Sequence, residues 1–399
     1  MLDMGSYTQE MYEDLINAAE EGYDAECDYS MLVEQINSPD FFEPFSERLR
    51  RYLSKRMQIE YSPDEAYQFL FNAMNEAGTN PTRNTIKNWL NVSGSSGGHF
   101  GPNMGDAGRE SMFQVAFSLG LNASKTEDYF HRVYLDKAFN ARNPKEFIYF
   151  YCLQREKSYT EAKDLATEAE KYLPSSSASS SGTATVMMKQ VAKIAKDDEE
   201  LLTYIREHAF NFTGKSKTAQ DILDWLKRDL CGGNEQIGLA EQEYLAYKAD
   251  DMTGSEGRNP HSVDFVLAMA EKGPLMIGES IRDPNAKKVR DILTRKEISN
   301  QFPNANTISH PDSSYIMRKN IILLYFYWYW VKDILKEYPE GDDESFVTEL
   351  NSYLFKCGYS PLYYGNPYDW VFLYCSACKD NGISPLDVFR GILATDEEE

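Results

Sequence analysis

Several stretches of this chain place chemically able side chains at suggestive spacings. Gly214-Lys215-Ser216 has the ending of a phosphate-binding loop, in which a lysine and a hydroxyl meet the phosphates. That loop also needs a glycine five positions earlier, where Ala209 stands, so an exposed loop is the expectation. Cys375-Ser376-Ala377-Cys378 has the spacing of a redox or metal-binding pair. A zinc site needs further ligands, which no second cysteine pair supplies, and both thiols fall on a helix begun at Pro367; they read as small buried side chains. The five histidines, His99, His131, His208, His261 and His310, include no two on successive helical turns. Runs such as Asp197-Asp198-Glu199-Glu200 and Glu397-Glu398-Glu399 read as solvated charge, not as a carboxyl pair held for proton transfer. The expectation is a chain with no catalytic residues, no metal and no cofactor, and hence not an enzyme.

The elements that would hold any site are helical. Glycine and proline fall mainly between segments with a period near 3.6, and strand-like alternation is scarce, so the reading is all-α and multi-helical. At 399 residues with 42% apolar and 13% aromatic side chains, the chain can fill two or three cores. Residues 7–37 read as two acidic amphipathic helices. Ser46 to Met57 is locally basic through Arg48, Arg50, Arg51, Lys55 and Arg56. Ser62-Pro63-Asp64-Glu65 opens a further helix, with Ser62 as cap, Pro63 in the first turn and Glu65 at the third position. The almost uniform serine of 174–183 marks a linker or loop between an N-terminal helical domain, 1–173, and a C-terminal one, 184–399. The longest apolar stretch, Ile321 to Val331, is eleven residues, short of the roughly twenty that a bilayer needs, and reads as a buried core helix.

One repeat stands out. Asn143-Pro144-Lys145-Glu146-Phe147-Ile148-Tyr149-Phe150-Tyr151-Cys152 parallels Asn366-Pro367-Tyr368-Asp369-Trp370-Val371-Phe372-Leu373-Tyr374-Cys375. Asn as N-cap, Pro at the first position and an acid at the third start a helix, and the aromatics that follow bury it. Two copies of a helical hairpin module are expected.

Within 63–135, a helix ends near Gly78, Thr79-Asn80-Pro81 turns, and Thr82 to Leu90 forms a short helix. Its polar face carries Arg83, Asn84, Lys87 and Asn88, while Ile86, Trp89 and Leu90 face the core. This is the grammar of a helix-turn-helix, whose second helix enters the major groove; Arg and Lys suit guanine and phosphate, and Asn suits adenine. Thr82-Arg83-Asn84-Thr85-Ile86-Lys87-Asn88-Trp89-Leu90, followed after a loop by Arg109 to Asn122 with its Phe117-Ser118-Leu119-Gly120-Leu121 ending, resembles the lambda-repressor-like (Xre-type) helix-turn-helix regulators common in Firmicutes. In those proteins a recognition helix precedes a helix with a similar ending, and the Asn-Pro-acid hairpin resembles the tail that follows this domain in some of them. The resemblance covers about a quarter of the chain. A glycine-rich insert, Ser93 to Gly101, stands where a short basic turn is usual.

The resemblance implies a DNA-binding transcriptional regulator, with Arg83, Asn84, Lys87 and Asn88 on duplex DNA and the basic helix Ser46 to Met57 on its backbone. The net charge of -22, from 63 acidic and 41 basic side chains, repels phosphate at long range and favours the other reading. That reading is a non-catalytic helical protein-interaction or scaffold protein, with a protein partner or a second copy of the chain in a homo-oligomer. No membrane partner is expected. The opening Met1-Leu2-Asp3-Met4 runs into acidic sequence without a secretory pattern, and the six cysteines are scattered as in a reducing compartment, so the expected location is cytoplasmic.

Overall fold

The computed structural model describes residues 42–57, 62–92, 106–140, 142–173, 190–212, 216–233, 236–248, 259–276, 302–311, 314–336 and 340–393. The helices expected over 7–37, the glycine-rich insert, the serine-rich stretch and Gly214-Lys215 lie outside these residues.

In the N-terminal half the described helices are α1 (Phe45–Met57), α2 (Pro63–Glu76), α3 (Arg83–Leu90), α4 (Asp106–Ser118), α5 (Ala123–Tyr129) with a π-helical turn Phe130–Tyr134, α6 (Pro144–Gln154), α7 (Tyr159–Glu170) and α8 (Asp198–Glu207). Local chemistry sets their starts. Ser62 and Glu65 form the expected capping box on α2, with Pro63 in its first turn. Asp197, placed by its composition among solvated acids, instead caps α8 by accepting from the Glu200 N–H at 2.9 Å. Its neighbour Asp198 accepts from the Tyr151 hydroxyl at 2.8 Å and pairs with Lys157 at 3.0 Å.

The C-terminal half begins with α9 (Lys217–Cys231), which leads into a two-residue antiparallel strand pair, β1 (Gly232–Gly233) with β2 (Gln236–Ile237), the one sheet among the described residues. There follow α10 (Leu239–Lys248), α11 (Val263–Met276, broken at Gly273 before Pro274), α12 (Ala305–Ser309), α13 (Ser314–Ile334), α14 (Asp343–Cys357), α15 (Pro367–Ala377) and α16 (Pro385–Leu393). The architecture is all-α, and no described helix is long and apolar enough to cross a membrane. Central in this half is α13, in contact with α9, α10, α12, α14, α15 and α16. Its residues Ile321 to Tyr327 are all buried, as an apolar stretch covering every helix face requires. Burial also extends to Arg318, Lys319 and Asn320, which the apolar pattern does not mark.

Buried side chains form two cores, one running from Phe45 to Phe212 and one from Ala219 to Leu393. Composition places a boundary at 174–183; Ala192, Ala195, Leu201, Ile205 and Phe212 nevertheless pack into the first core, so the division between cores falls between Phe212 and Ala219. Phe42 crosses the division in the other direction and belongs to the second core.

Asn143 and Asn366 cap α6 and α15 in the same way, each side chain accepting from the N–H groups two and three residues on. The repeat is larger than its ten matching residues. In the first half Arg109 of α4 grips the Glu146 carboxylate through Nε and NH2 at 2.7 and 3.0 Å, while NH2 also meets the Ala138 carbonyl at 2.7 Å. In the second, Arg318 of α13 grips Asp369 through NH1 and NH2 at 2.8 and 2.7 Å, and NH2 meets the Pro361 carbonyl at 2.9 Å. Each carbonyl lies eight positions before its acid. Each acid also accepts from the backbone N–H six positions before it, that of Asn140 at 2.6 Å or of Tyr363 at 3.0 Å. Eleven positions before each acid stands a left-handed residue, Leu135 (φ 58°) or Gly358 (φ 79°). These two turns meet across the halves: the Leu135 carbonyl accepts from Asn366 Nδ2 at 3.2 Å, and the Gly358 carbonyl from Lys137 Nζ at 2.6 Å.

Both clamps are buried, with Arg318 and Asp369 side chains 6% and 1% exposed. Replacing Arg109 or Arg318 by Met strands a carboxylate in the core and is expected to cost about 3–5 kcal/mol in urea unfolding. Asn143→Ala is expected to cost about 0.5–2 kcal/mol. Asn366→Ala should cost more, since it also removes the bond to Leu135; equal losses would show that this cross-half bond adds nothing.

Candidate nucleic-acid interface

The turn before α3 is built by residues that tolerate unusual backbone. Gly78 takes a φ of 73°, and its N–H and that of Thr79 return to the Asn75 and Met74 carbonyls, both at 3.0 Å, closing α2 in a Schellman motif. Asn80 is also left-handed, with φ 47°. Thr82 then caps α3 by accepting from the Thr85 N–H at 3.2 Å. Helix α3 packs against α1 and α2, burying Ile86, Trp89 and Leu90, and Trp89 meets Phe45 of α1 edge-on at 6.4 Å.

This packing brings Arg83, Asn84, Lys87 and Asn88 to one outer face. Arg83 and Asn84 are exposed, and Lys87 and Asn88 are half-buried. The two cations rest on rings of α2: the Arg83 guanidinium lies 5.6 Å from the Phe71 ring centre and Lys87 Nζ lies 5.5 Å from that of Tyr67. Those rings stack on each other at 5.6 Å, so cations four residues apart on α3 sit over rings four residues apart on α2. Among the described residues, no carboxylate pairs with either cation. Asn88 is the least available of the four, because its Oδ1 is buried with no hydrogen-bond partner among the described residues.

The basic helix α1 offers less charge than its composition suggests. Arg48 donates to the Val133 carbonyl at 3.0 Å and to that of Glu43, Arg50 pairs with Glu47, and Arg51 pairs with Glu43. Lys55 and Arg56, at its C-terminal end, remain exposed.

Cys375 and Cys378 are buried and form no disulfide, and burial pushes the Cys375 thiol well above its ordinary range; Cys152, at the matching place in the repeat, is pushed up to about 12 by the same cause. No metal-holding group of side chains exists among the described residues. Gly94-Ser95-Ser96-Gly97-Gly98, inside the insert, has the spacing of a hydrolase elbow, but the described element before it is helix α3, where an elbow needs a strand.

Sequence patterning locates the outer face of α3 but not the rings beneath it. The i, i+4 spacing of Tyr67 and Phe71 was its only trace, and that spacing marks core packing equally well. With only rings below them, Arg83 and Lys87 contribute little to folding, about 0.5–1 kcal/mol each. The double variant Arg83→Ala/Lys87→Ala is therefore expected to fold, losing no more than about 2 kcal/mol in urea unfolding; a larger loss would make these side chains structural.

Comparison of this chain with protein-family models, with curated proteins and with solved structures finds no match.

Proposed function

We propose that this chain is a DNA-binding transcriptional regulator of helix-turn-helix type, without a catalytic centre of its own. The observation that carries the proposal is the seating of α3: its apolar side is sealed against α1 and α2, while Arg83, Asn84 and Lys87 face outward with no described carboxylate to neutralise them. In a chain of net charge -22, such a locally basic face offsets long-range repulsion of phosphate. Arg83 and Asn84, the exposed pair at the start of α3, have side chains that suit base edges. Lys87, drawn back over Tyr67, suits a phosphate, with Lys55 and Arg56 of α1 as further backbone contacts.

A second reading, a helical protein-interaction or scaffold protein, draws on Phe355 and Phe210, which are 78% and 64% exposed. Apolar side chains exposed singly are common on folded proteins, so this observation carries less.

The test is an electrophoretic mobility assay on random-sequence duplex DNA across a salt series. Phosphate-mediated binding must weaken as salt rises, with a log–log slope of about -0.9 for each phosphate contacted. The double variant Arg83→Ala/Lys87→Ala is expected to abolish binding. Retained binding by that variant would reject the site, and no salt-sensitive binding by the unaltered protein would reject the regulator reading in favour of the interaction reading.

A further inference from the structure

The segment that leads into the first described helix of each half is anchored in the other core. Phe42, 3% exposed, lies edge-on to Trp370 of α15 at 5.7 Å, within the C-terminal core. Three residues later Phe45 belongs to the N-terminal core, where it meets Trp89 of α3. The arrangement is reciprocal. Phe212, 4% exposed, packs on Phe147 of α6 at 5.2 Å, and Ser216, a few residues on, caps α9 of the C-terminal half. Phe147 and Trp370 occupy the same place in the repeat, one residue after the clamped acid.

The link between Phe42 and Phe45 has no slack. Pro44 fixes its own φ, and its carbonyl accepts from the Glu47 and Arg48 N–H groups at 3.0 and 3.1 Å, which starts α1. Glu43 is held from both ends, its carbonyl by Arg48 and its carboxylate by Arg51. Three residues of extended chain reach at most about 11 Å, so rings seated in two cores at this separation cannot move independently. Close-packed interiors transmit small shifts instead of absorbing them.

We propose that Phe42–Phe45 is a coupling strap, through which repacking of the C-terminal core around α15 shifts or loosens α3 and so controls the face that carries Arg83 and Asn84. Trp370, Phe42, Phe45 and Trp89 carry the coupling in that order. It is reciprocal, because an equilibrium coupling between two sites acts equally in both directions. The coupling stands on these contacts alone; its use to control DNA binding rests on the regulator reading, and the test contains no DNA, so the two can fail separately.

Amide hydrogen exchange of the full chain reads the coupling. Phe389, fully buried in the C-terminal core, packs on Phe326 and Phe372 at 5.2 and 5.4 Å and has no ring contact with Trp370, so Phe389→Leu perturbs that core without touching the strap. This substitution is expected to speed exchange in α3 about tenfold while changing α7, in the same half as α3, less than about twofold. In a Phe42→Leu background, which keeps an apolar side chain in the seat, Phe389→Leu should add nothing further to α3. In a Lys137→Met background, which cuts the cross-half bond to Gly358, the full effect on α3 should persist. The strap is overturned if Phe389→Leu leaves α3 unchanged, if α3 and α7 speed up together as in global unfolding, if the effect survives Phe42→Leu, or if Lys137→Met erases it.

Discussion

A guanidinium held against a carboxylate in the core is the interaction on which each half of this protein depends. Arg109 and Arg318 each reach from one helix to the first turn of another, and each takes both oxygens of an acid that also receives a backbone N–H. The geometry answers the main objection to burying charge. Desolvating a carboxylate and a guanidinium costs several kcal/mol per ion, and the cost is offset only when the remaining donors and acceptors are met. Here the guanidinium also meets backbone carbonyls, and the carboxylate sits at a helix N-terminus, where backbone N–H groups and the helix dipole favour negative charge. Asn and Pro before the acid serve the same end by fixing where the helix begins.

From the clamps outward the two halves become one object. The turn leading to each clamped acid is a left-handed residue whose carbonyl is taken up by the opposite half, and the ring after each acid is covered by an aromatic from the segment that runs on into the opposite half. The candidate DNA-facing helix is therefore not an appendage on a tether. It rests on α1, and α1 begins where the chain leaves the C-terminal core.

Much of this was legible in the chain of letters because it is local. Ser62-Pro63-Asp64-Glu65, Thr82 and the two Asn-Pro-x-acid phrases specify helix starts within four residues, and the structure has helices starting at each. The all-round apolar run from Ile321 specifies burial without any knowledge of neighbours. What was not legible is pairwise and distant. Arg109 precedes its acid by 37 residues and Arg318 by 51, so no fixed spacing marks the clamp, and Lys319 and Asn320 beside it look like surface residues. At the candidate interface the polar face of α3 follows from helical periodicity. The burial of Asn88 Oδ1 and the diversion of Arg48, Arg50 and Arg51 into internal bonds follow only from where α1 and its neighbours lie.

The reciprocal seating of Phe42 and Phe212 bears on the order in which the molecule assembles during synthesis. The seat for Phe212 is Phe147, already made when Phe212 leaves the ribosome, so the N-terminal core can take in this ring as the chain emerges. The seat for Phe42 is Trp370, which follows it by 328 residues. At about 5–20 residues per second Phe42 waits on the order of half a minute for the core that receives it. The first segment of the described chain thus finds its place only after Trp370 has emerged, and the helix that rests beside it settles no sooner.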